Sequence, residues 1–261
     1  MAELIFIEGV SGLGKSTLVR ALAGRLRAAG RRVRAYVEFD AANPIDFYCT
    51  AYLPRREYAA LAARYPELRA HAIDAGEAVL VRYYDGDTPL FAEPLRSELA
   101  ARELCYHPPR PVPLAAYSAA YAAVWRDYAA SLREAGEELL LFDGSLLFHP
   151  LNDMTRNYAA PPEALAAHVR GLLAALGDVP WRVFYLRTDD YAAQLGRARR
   201  DRGQAPPTAE QLRFWTARAE SDRRVLAEIG GNIEICDVSG GRWEAATAEV
   251  LAAILNEKRG S

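Results

Sequence analysis

The pattern of apolar and polar residues along the chain predicts five β-strands. Residues 4–7, 139–142 and 183–186 are continuous apolar runs, which are typical of parallel strands that are buried on both faces. Residues 33–39 and 233–236 instead alternate between apolar and polar side chains. Because alternation indicates a strand with one partly wet face, we expect these two strands at the edges of the sheet.

Helical periodicity follows the first predicted strand. Leu18, Leu22 and Leu26 recur at helical spacing, which predicts a helix over residues 17–29 with Gly30 just beyond its end. A buried first strand, edge strands in second and fifth place, and intervening helices fit an α/β fold with a five-stranded parallel sheet. We expect the strand order 2-3-1-4-5 with helices on both faces, which makes three layers.

Residues 41–136, between the second and third predicted strands, carry little strand signal. Helical stripes occur at 55–65, 90–104 and 114–135, with turn-rich pieces between them. Both ends of this stretch return to the sheet, so we expect it to form a helical cap over the carboxyl ends of the strands. The whole chain, 1–261, is then a single domain.

The most specific motif lies between the first strand and the first helix. Residues 9–17 read Gly-Val-Ser-Gly-Leu-Gly-Lys-Ser-Thr, a complete match to the phosphate-loop motif G-x-x-x-x-G-K-[ST]. Of 32 lysines and arginines only Lys15 and Lys258 are lysines, so the loop keeps a compact ammonium in a chain that otherwise uses arginine. The motif predicts a P-loop NTPase fold and nucleotide binding by Gly9, Ser11, Gly12, Leu13, Gly14, Lys15, Ser16 and Thr17.

Oxygen-bearing side chains near this loop predict a magnesium site and an acceptor site. Ser16 belongs to the motif and Asp143 directly follows the strand at 139–142, so we expect both to hold Mg²⁺. Glu38 and Asp40 end the second predicted strand with the same side-chain parity. We expect one of the two to orient or deprotonate the acceptor hydroxyl, and the sequence leaves open which one.

An arginine-rich stretch follows the fourth predicted strand and contains Arg197, Arg199, Arg200 and Arg202. Arg197 and Arg200 are three residues apart and therefore share one face of a helix. Glycine and two prolines come next, so we interpret residues 194–210 as a lid. The lid is expected to bring Arg197 and Arg200 to a transferring phosphoryl group, with Arg197 also contacting the nucleotide.

Aromatic residues supply candidates for an acceptor pocket: Phe39, Phe47, Tyr48, Tyr83 and Tyr84. Arg82 or Arg96 is expected to hold an acidic acceptor. Trp243, after the fifth strand, is a candidate either for contact with the nucleotide base or for anchoring the C-terminal helix. The residues predicted to bind the acceptor are therefore Phe39, Phe47, Tyr83 and Arg82.

Charge and composition narrow the function classes. A net charge of −2 and a pI near 6.1 provide no overall basic field, so we expect no extended nucleic-acid binding. No apolar run approaches the ~18 residues of a membrane span, and the first strand begins too early for a signal peptide. Cys49, Cys105 and Cys236 are odd in number and widely spaced, which suits a reducing compartment. We expect a cytoplasmic protein without membrane contact; the sequence leaves open whether it is a monomer or a homodimer.

With these parts in this order, the chain resembles the P-loop kinases of the thymidylate and deoxynucleoside kinase type. The resemblance rests on residues 7–17, on Glu38 and Asp40, on Asp143 and on the arginine-rich stretch. It implies ATP and Mg²⁺, the 2-3-1-4-5 sheet and in-line transfer of the γ-phosphoryl group to a small acceptor.

The chain departs from that family in two places. Gly144 and Ser145 follow Asp143 where family members have an arginine, and residues 41–136 carry no thymidylate-kinase pattern. The chain thus resembles a separate branch, whose acceptor is a nucleoside or nucleotide, an antibiotic or another hydroxylated metabolite.

Two other functions are compatible with a phosphate loop. One is an NTP-binding regulatory or switch protein with slow hydrolysis, which would need a stable protein partner. The other is a kinase of nucleic-acid ends, which would need a strip of cations outside the lid, and the acidic pI argues against it.

Overall fold

The computed structural model describes residues 2–134 and 136–256 of the chain. In chain order the strands are β1 (Ala2–Glu8), β2 (Val33–Tyr36), β3 (Thr50–Pro54), β4 (Ala72–Ala75), β5 (Ala78–Arg82), β6 (Tyr84–Asp85), β7 (Thr88–Pro89), β8 (Glu138–Asp143), β9 (Trp181–Arg187) and β10 (Ile233–Asp237). The α-helices are α1 (Lys15–Ala28), α2 (Arg55–Arg64), α3 (Leu95–Ala100), α4 (Leu114–Leu132), α5 (Phe148–Tyr158), α6 (Pro162–Leu176), α7 (Tyr191–Asp201), α8 (Ala209–Ile229) and α9 (Trp243–Asn256). Short 3-10 helices span Pro66–His71 and Ser239–Gly241.

The described residues form two compact units. The first comprises the described parts of 1–38, 134–148 and 179–261, and the second comprises 39–133 and 149–178. Each unit has its own sheet and its own buried core.

The first unit is built on a five-stranded sheet with the order β10-β9-β1-β8-β2. All neighbouring strands are parallel, and the order reads 2-3-1-4-5 when these five strands are counted along the chain. The two strands with alternating patterns, β2 and β10, lie at the edges. The prediction of an α/β fold with a five-stranded parallel sheet is therefore confirmed.

Helices flank both faces of this sheet because alternate residues of each strand point to opposite sides. Ile5 and Ile7 of β1 belong to a buried cluster that includes Leu22 of α1 and Val250 of α9. On the opposite face Tyr185 of β9 donates a hydrogen bond to Asp222 of α8, with 3.1 Å between the oxygens. Burial of the three central strands on both faces explains why they contain continuous apolar runs.

The second unit corrects the expectation that residues 41–136 are almost entirely helical. It contains a three-stranded sheet with the order β3-β5-β4 and a two-stranded hairpin of β6 and β7, all antiparallel. Strands β3, β4 and β5 have only four or five residues each, and a tight turn at Gly76, with φ of 73°, joins β4 to β5. Strands this short give too few alternations to be recognised beside long helical stripes. The stripes at 55–65 and 114–135 do form α2 and α4, whereas 90–104 contributes only the short α3.

The second strand of the first unit is shorter than predicted. β2 ends at Tyr36, and Phe39 has a left-handed backbone with φ of 64°. Glu38 and Asp40 therefore lie in a turn, so the strand parity on which they were paired does not apply to them.

None of the helices in the described part of the chain is long and apolar enough to cross a membrane.

Candidate active site

The glycine loop joins β1 to α1 in the first unit. Gly14 occupies the position before α1 with φ of 77°, and no acidic residue lies in the first turn of that helix. A Cβ atom at Gly14 would come within 2.8 Å of the Trp243 ring, so both the backbone angle and the available space require glycine here. The loop and the N-terminus of α1 thus have the strand–loop–helix geometry of a phosphate-binding P-loop.

Lys15 is the charged side chain at the centre of the site. It is only 7% exposed. Its ammonium donates to the carbonyl oxygen of Val10, at 3.4 Å, and lies 3.6 Å from the centre of the Phe148 ring. Burial lowers the pKa of Lys15, and the nearby carboxylates of Asp143 and Glu38 oppose this shift. The ammonium is therefore held within the protein, where an anionic phosphate would be attracted strongly.

The two predicted metal ligands are brought together. β1 and β8 pair in parallel, so Asp143 lies opposite Ile7 at the same end of the sheet as the loop. The Ser16 hydroxyl donates to Asp143 Oδ2 at 2.5 Å. A hydroxyl and a carboxylate are hard oxygen ligands, and Mg²⁺ commonly takes only one or two such protein ligands beside phosphates and water. The pair fits Mg²⁺ on these grounds, although no group of three or more His, Cys, Asp or Glu side chains suited to a metal occurs in the described residues.

The two predicted acceptor-side carboxylates have different local roles. The backbone N–H of Glu38 donates to Asp143 Oδ2 at 3.4 Å, which links this residue to the predicted magnesium ligand. Asp40 Oδ1 accepts the N–H of Ala42 at 2.9 Å within its own turn. Asp40 belongs to the second unit, and its carboxylate there stabilises the chain's reversal of direction.

A cleft of about 320 Å³ opens beside the glycine loop. It is lined by Gly12, Gly14, Thr17, Gln194, Arg197, Ala198, Asp201, Arg202 and Trp243. Gln194 of α7 connects the glycine loop to Arg197, because it donates to the Gly12 carbonyl at 3.1 Å and accepts from the Arg197 guanidinium at 2.6 Å. Both arginines are exposed on α7, but Arg197 is thereby placed next to the loop, whereas Arg200 does not line this cleft.

A buried carboxylate under the loop was not predicted. Glu8 is 0% exposed, and its carboxylate accepts the N–H groups of Leu146 and Phe148 at 2.8 and 3.0 Å. Burial raises the pKa of Glu8 to about 7, while those two N–H groups and Lys15 act in the opposite direction. The signal in the sequence was an acidic residue at the end of the apolar run 4–7.

The predicted acceptor-binding residues lie in the second unit. Phe47 is fully buried and packs edge-on against Tyr121, with ring centres 4.4 Å apart. Tyr83 is 4% exposed in the core of the same unit. The Arg82 guanidinium donates to the backbone carbonyls of Asn43 and Asp46, at 3.1 and 2.8 Å. Phe39 differs from these because it is 46% exposed.

Phe39 lies beside a polar network that sequence reasoning missed. Its ring centre is 5.9 Å from that of Tyr106, whose hydroxyl lies 3.0 Å from His149 Nδ1 and 3.4 Å from both carboxylate oxygens of Asp46. The Tyr106 N–H donates to Asp153 at 2.9 Å, and burial raises the pKa of Asp153 to about 6. These side chains are far apart in sequence, so no local sequence motif predicts that they lie together.

Comparisons with known proteins add little to this description. No protein-family model matches the sequence, and no curated protein matches it significantly. One solved structure that it resembles is the thymidylate kinase from Candida albicans, with 13% sequence identity and a TM-score of 0.48. The match covers 98% of this chain and 92% of that chain. A likeness at this identity and TM-score carries no argument, so the function rests on the residues described above.

Proposed function

We propose that the chain is an ATP- and Mg²⁺-dependent kinase that transfers the γ-phosphoryl group of ATP to a hydroxyl group of a small molecule. The observation that carries the proposal is the meeting of three side chains at the glycine loop: a buried Lys15 ammonium and the bonded pair of Ser16 and Asp143. Phosphoryl transfer depends on positioning and on charge stabilisation, which are the two tasks that such a set performs.

The side chains of the first unit have distinct roles in this proposal. Lys15 and the loop N–H groups bind the β- and γ-phosphates, and Ser16 and Asp143 hold the metal. When bound, Mg²⁺ supplies positive charge against the phosphate oxygens. Arg197, which lines the cleft beside the loop, stabilises charge on the transferring group, and Arg200 stays a predicted second cation of the lid at 194–210.

The transfer step needs a residue that accepts the acceptor's proton. The acceptor oxygen forms a bond to the γ-phosphorus, the bond from that phosphorus to the β,γ-bridging oxygen breaks, and ADP leaves with the electron pair. The hydroxyl proton passes to a carboxylate. Glu38 is our first choice, because its backbone is bonded to Asp143 while the Asp40 carboxylate is occupied in its own turn.

The acceptor is proposed as a class only: a nucleoside or nucleotide, an antibiotic or another hydroxylated metabolite. Among the predicted acceptor-binding residues, Phe39 has the exposed side chain that contact with a small molecule requires. Phe47, Tyr83 and Arg82 are better supported as residues that stabilise the second unit, since their side chains are engaged within it.

The test is ATP consumption in the presence of Mg²⁺ over a panel of nucleosides, nucleoside monophosphates, aminoglycosides and simple hydroxylated metabolites, with GTP as a second donor. Lys15→Ala should lower accelerated turnover by about 100-fold or more, as expected when a charge-stabilising group is removed from a phosphoryl site. Lys258→Ala, the change of the other lysine, is the matched control and should behave as wild type.

Each outcome bears on the proposal. A compound that accelerates ATP loss by wild type and by Lys258→Ala, and not by Lys15→Ala, would support the kinase and identify its acceptor class. Slow ATP loss that no compound accelerates would favour a regulatory NTP-binding protein instead. Equal turnover by wild type and Lys15→Ala would overturn the proposal.

A further inference from the structure

Residues 144–148, which we call the connecting segment, lead from β8 to the start of α5 and are fixed by two buried charged side chains. The first is Glu8, whose two carboxylate oxygens accept the N–H groups of Leu146 and Phe148. Glu8 is 138 and 140 residues away from these partners in sequence, so the contacts belong to the tertiary structure. One carboxylate thereby holds two alternate peptide groups of the segment.

The second charged side chain binds the carbonyl oxygen of the peptide group whose N–H, that of Phe148, Glu8 already accepts. Arg218 of α8 donates to the carbonyl oxygen of Leu147 at 2.8 Å and to Asp222 at 2.7 Å. The side chains of Arg218 and Asp222 are each 1% exposed. Tyr185 donates to the second oxygen of Asp222, so the guanidinium is itself held in place. Three consecutive residues of the connecting segment are therefore anchored through their backbone atoms.

The anchored backbone places the Phe148 ring next to the Lys15 ammonium. The ammonium lies 3.6 Å from the ring centre, well inside the range of a cation–π contact. Trp215 of α8 also supports Phe148: its ring is nearly parallel to that of Phe148, at 13°, with centres 5.6 Å apart. Gly144 leaves the necessary room, because a Cβ atom there would lie 2.9 Å from Phe148 Cβ and 3.3 Å from Lys15 Cε.

We propose that Phe148 is a positioning residue that holds the Lys15 ammonium at the glycine loop before nucleotide binds, and that Glu8 and Arg218 fix the backbone that carries it. The inference rests on the proposed role of Lys15 in phosphate binding.

An aromatic ring suits this task better than a carboxylate would. Lysine has a flexible four-carbon stem, and its ammonium is costly to bury without a partner. A carboxylate bonded directly to the ammonium, unlike the nearby carboxylates of Asp143 and Glu38, would hold it strongly and would repel an incoming phosphate. A ring attracts the cation more weakly and carries no net charge, so Lys15 is restrained yet remains available to the anion.

The burial of charge also argues that the arrangement serves Lys15 rather than stability alone. Burying a carboxylate and a guanidinium is expensive, and apolar residues of similar volume often replace buried ion pairs with a gain in stability. Here Glu8 and Arg218 are directed at the peptide groups that immediately precede and include Phe148. The free-energy cost of burying these two charged groups therefore serves the one stretch of backbone that sets the position of the Phe148 ring.

The chain offers a direct test because only Lys15 and Lys258 are lysines. Incorporation of ¹³C,¹⁵N-lysine gives two sets of side-chain NMR signals, which Lys258→Arg assigns. Protons over the face of an aromatic ring resonate upfield, so the Lys15 ε-protons should be shifted upfield in nucleotide-free wild type. Phe148→Leu should abolish that shift, Phe148→Tyr should keep it, and Glu8→Gln should reduce it. Phe214→Leu, which changes a phenylalanine that packs edge-on against Trp215, is the control and should keep it.

Kinetics supply the functional half of the test. If Phe148 positions Lys15, Phe148→Leu should lower kcat by about tenfold, in line with a desolvated cation–π contact, and Phe148→Tyr should restore it. The KM for ATP should change less, because the loop N–H groups still bind the phosphates.

The two halves separate failure of this inference from failure of the proposed function. Unshifted Lys15 protons in wild type, or a shift that persists in Phe148→Leu, would overturn the inference whatever the protein catalyses. If Phe148→Leu fails to fold, the wild-type, Phe148→Tyr and Glu8→Gln spectra still decide it. A ring-shifted Lys15 together with no phosphoryl transfer to any acceptor would refute only the kinase.

Discussion

Replacing Glu8 by glutamine should change how the stability of the first unit depends on pH. Burial raises the pKa of the Glu8 carboxyl from 4.5 to about 7. The folded protein therefore binds this proton more tightly than the unfolded chain does. The stability that this group contributes is fully present below pH 4.5 and is lost as the pH rises to about 7. At 1.36 kcal/mol per pH unit, the loss across that window is roughly 3 kcal/mol.

Urea unfolding, followed by tryptophan fluorescence between about pH 4.5 and pH 8, measures this effect. Glutamine does not titrate, so the free energy of unfolding of Glu8→Gln relative to wild type should rise by roughly 3 kcal/mol over the window. Altered hydrogen bonds to Leu146 and Phe148 add an offset that does not vary with pH. Glu210→Gln, at an exposed position in the first turn of α8, is the control and should follow wild type. Parallel pH curves for Glu8→Gln and wild type would refute the reasoning.

Two further predictions concern the metal site and the second unit. Asp143→Asn should raise the Mg²⁺ concentration needed for half-maximal ATP turnover by about tenfold or more, as a Mg²⁺ titration would measure; an unchanged requirement would remove Asp143 from the metal site. Burial lowers the pKa of His168 from 6.5 to about 4, so the stability that it contributes is present above pH 6.5 and is lost as the pH falls to about 4. Urea unfolding should show His168→Phe resisting this acid loss by roughly 3 kcal/mol relative to wild type, and equal acid sensitivity would contradict it.

The sheet of the first unit could be predicted because a strand that is buried on both faces has a continuous run of apolar residues. β1, β8 and β9 contain continuous apolar runs, and β2 and β10, at the edges, alternate because polar side chains such as Arg34 and Glu234 are exposed. β3 could not be found in the same way. It has five residues and ends at Pro54, directly before the long helical pattern of α2.

Some residues of the candidate site could likewise be predicted from the sequence, and others could not. Lys15 and Ser16 were recognisable because a local motif carries them, and Asp143 because the carboxyl ends of neighbouring parallel strands meet at one edge of a sheet. The support for Lys15 was not recognisable, since Glu8 and Phe148 are 140 residues apart and the Glu8 carboxylate bonds to the backbone N–H of Phe148 rather than to its side chain. A hydrogen bond to a peptide group leaves no trace in the identity of the residue that donates it.

Because the anchoring bonds go to peptide groups, part of the connecting segment is free to change its sequence over evolution. Glu8 and Arg218 bond to peptide groups, so they make no demand on the side chains at 146 and 147 beyond the apolar character that full burial requires. Substitutions among leucine, isoleucine, valine and methionine at these two positions would leave the anchoring intact. Gly144 and Phe148 have no such freedom, because one provides the space and the other fills it. A search for distant relatives should therefore give weight to a glutamate before the glycine loop and to a glycine and an aromatic residue four positions apart after β8, and should accept any apolar residue at positions 146 and 147.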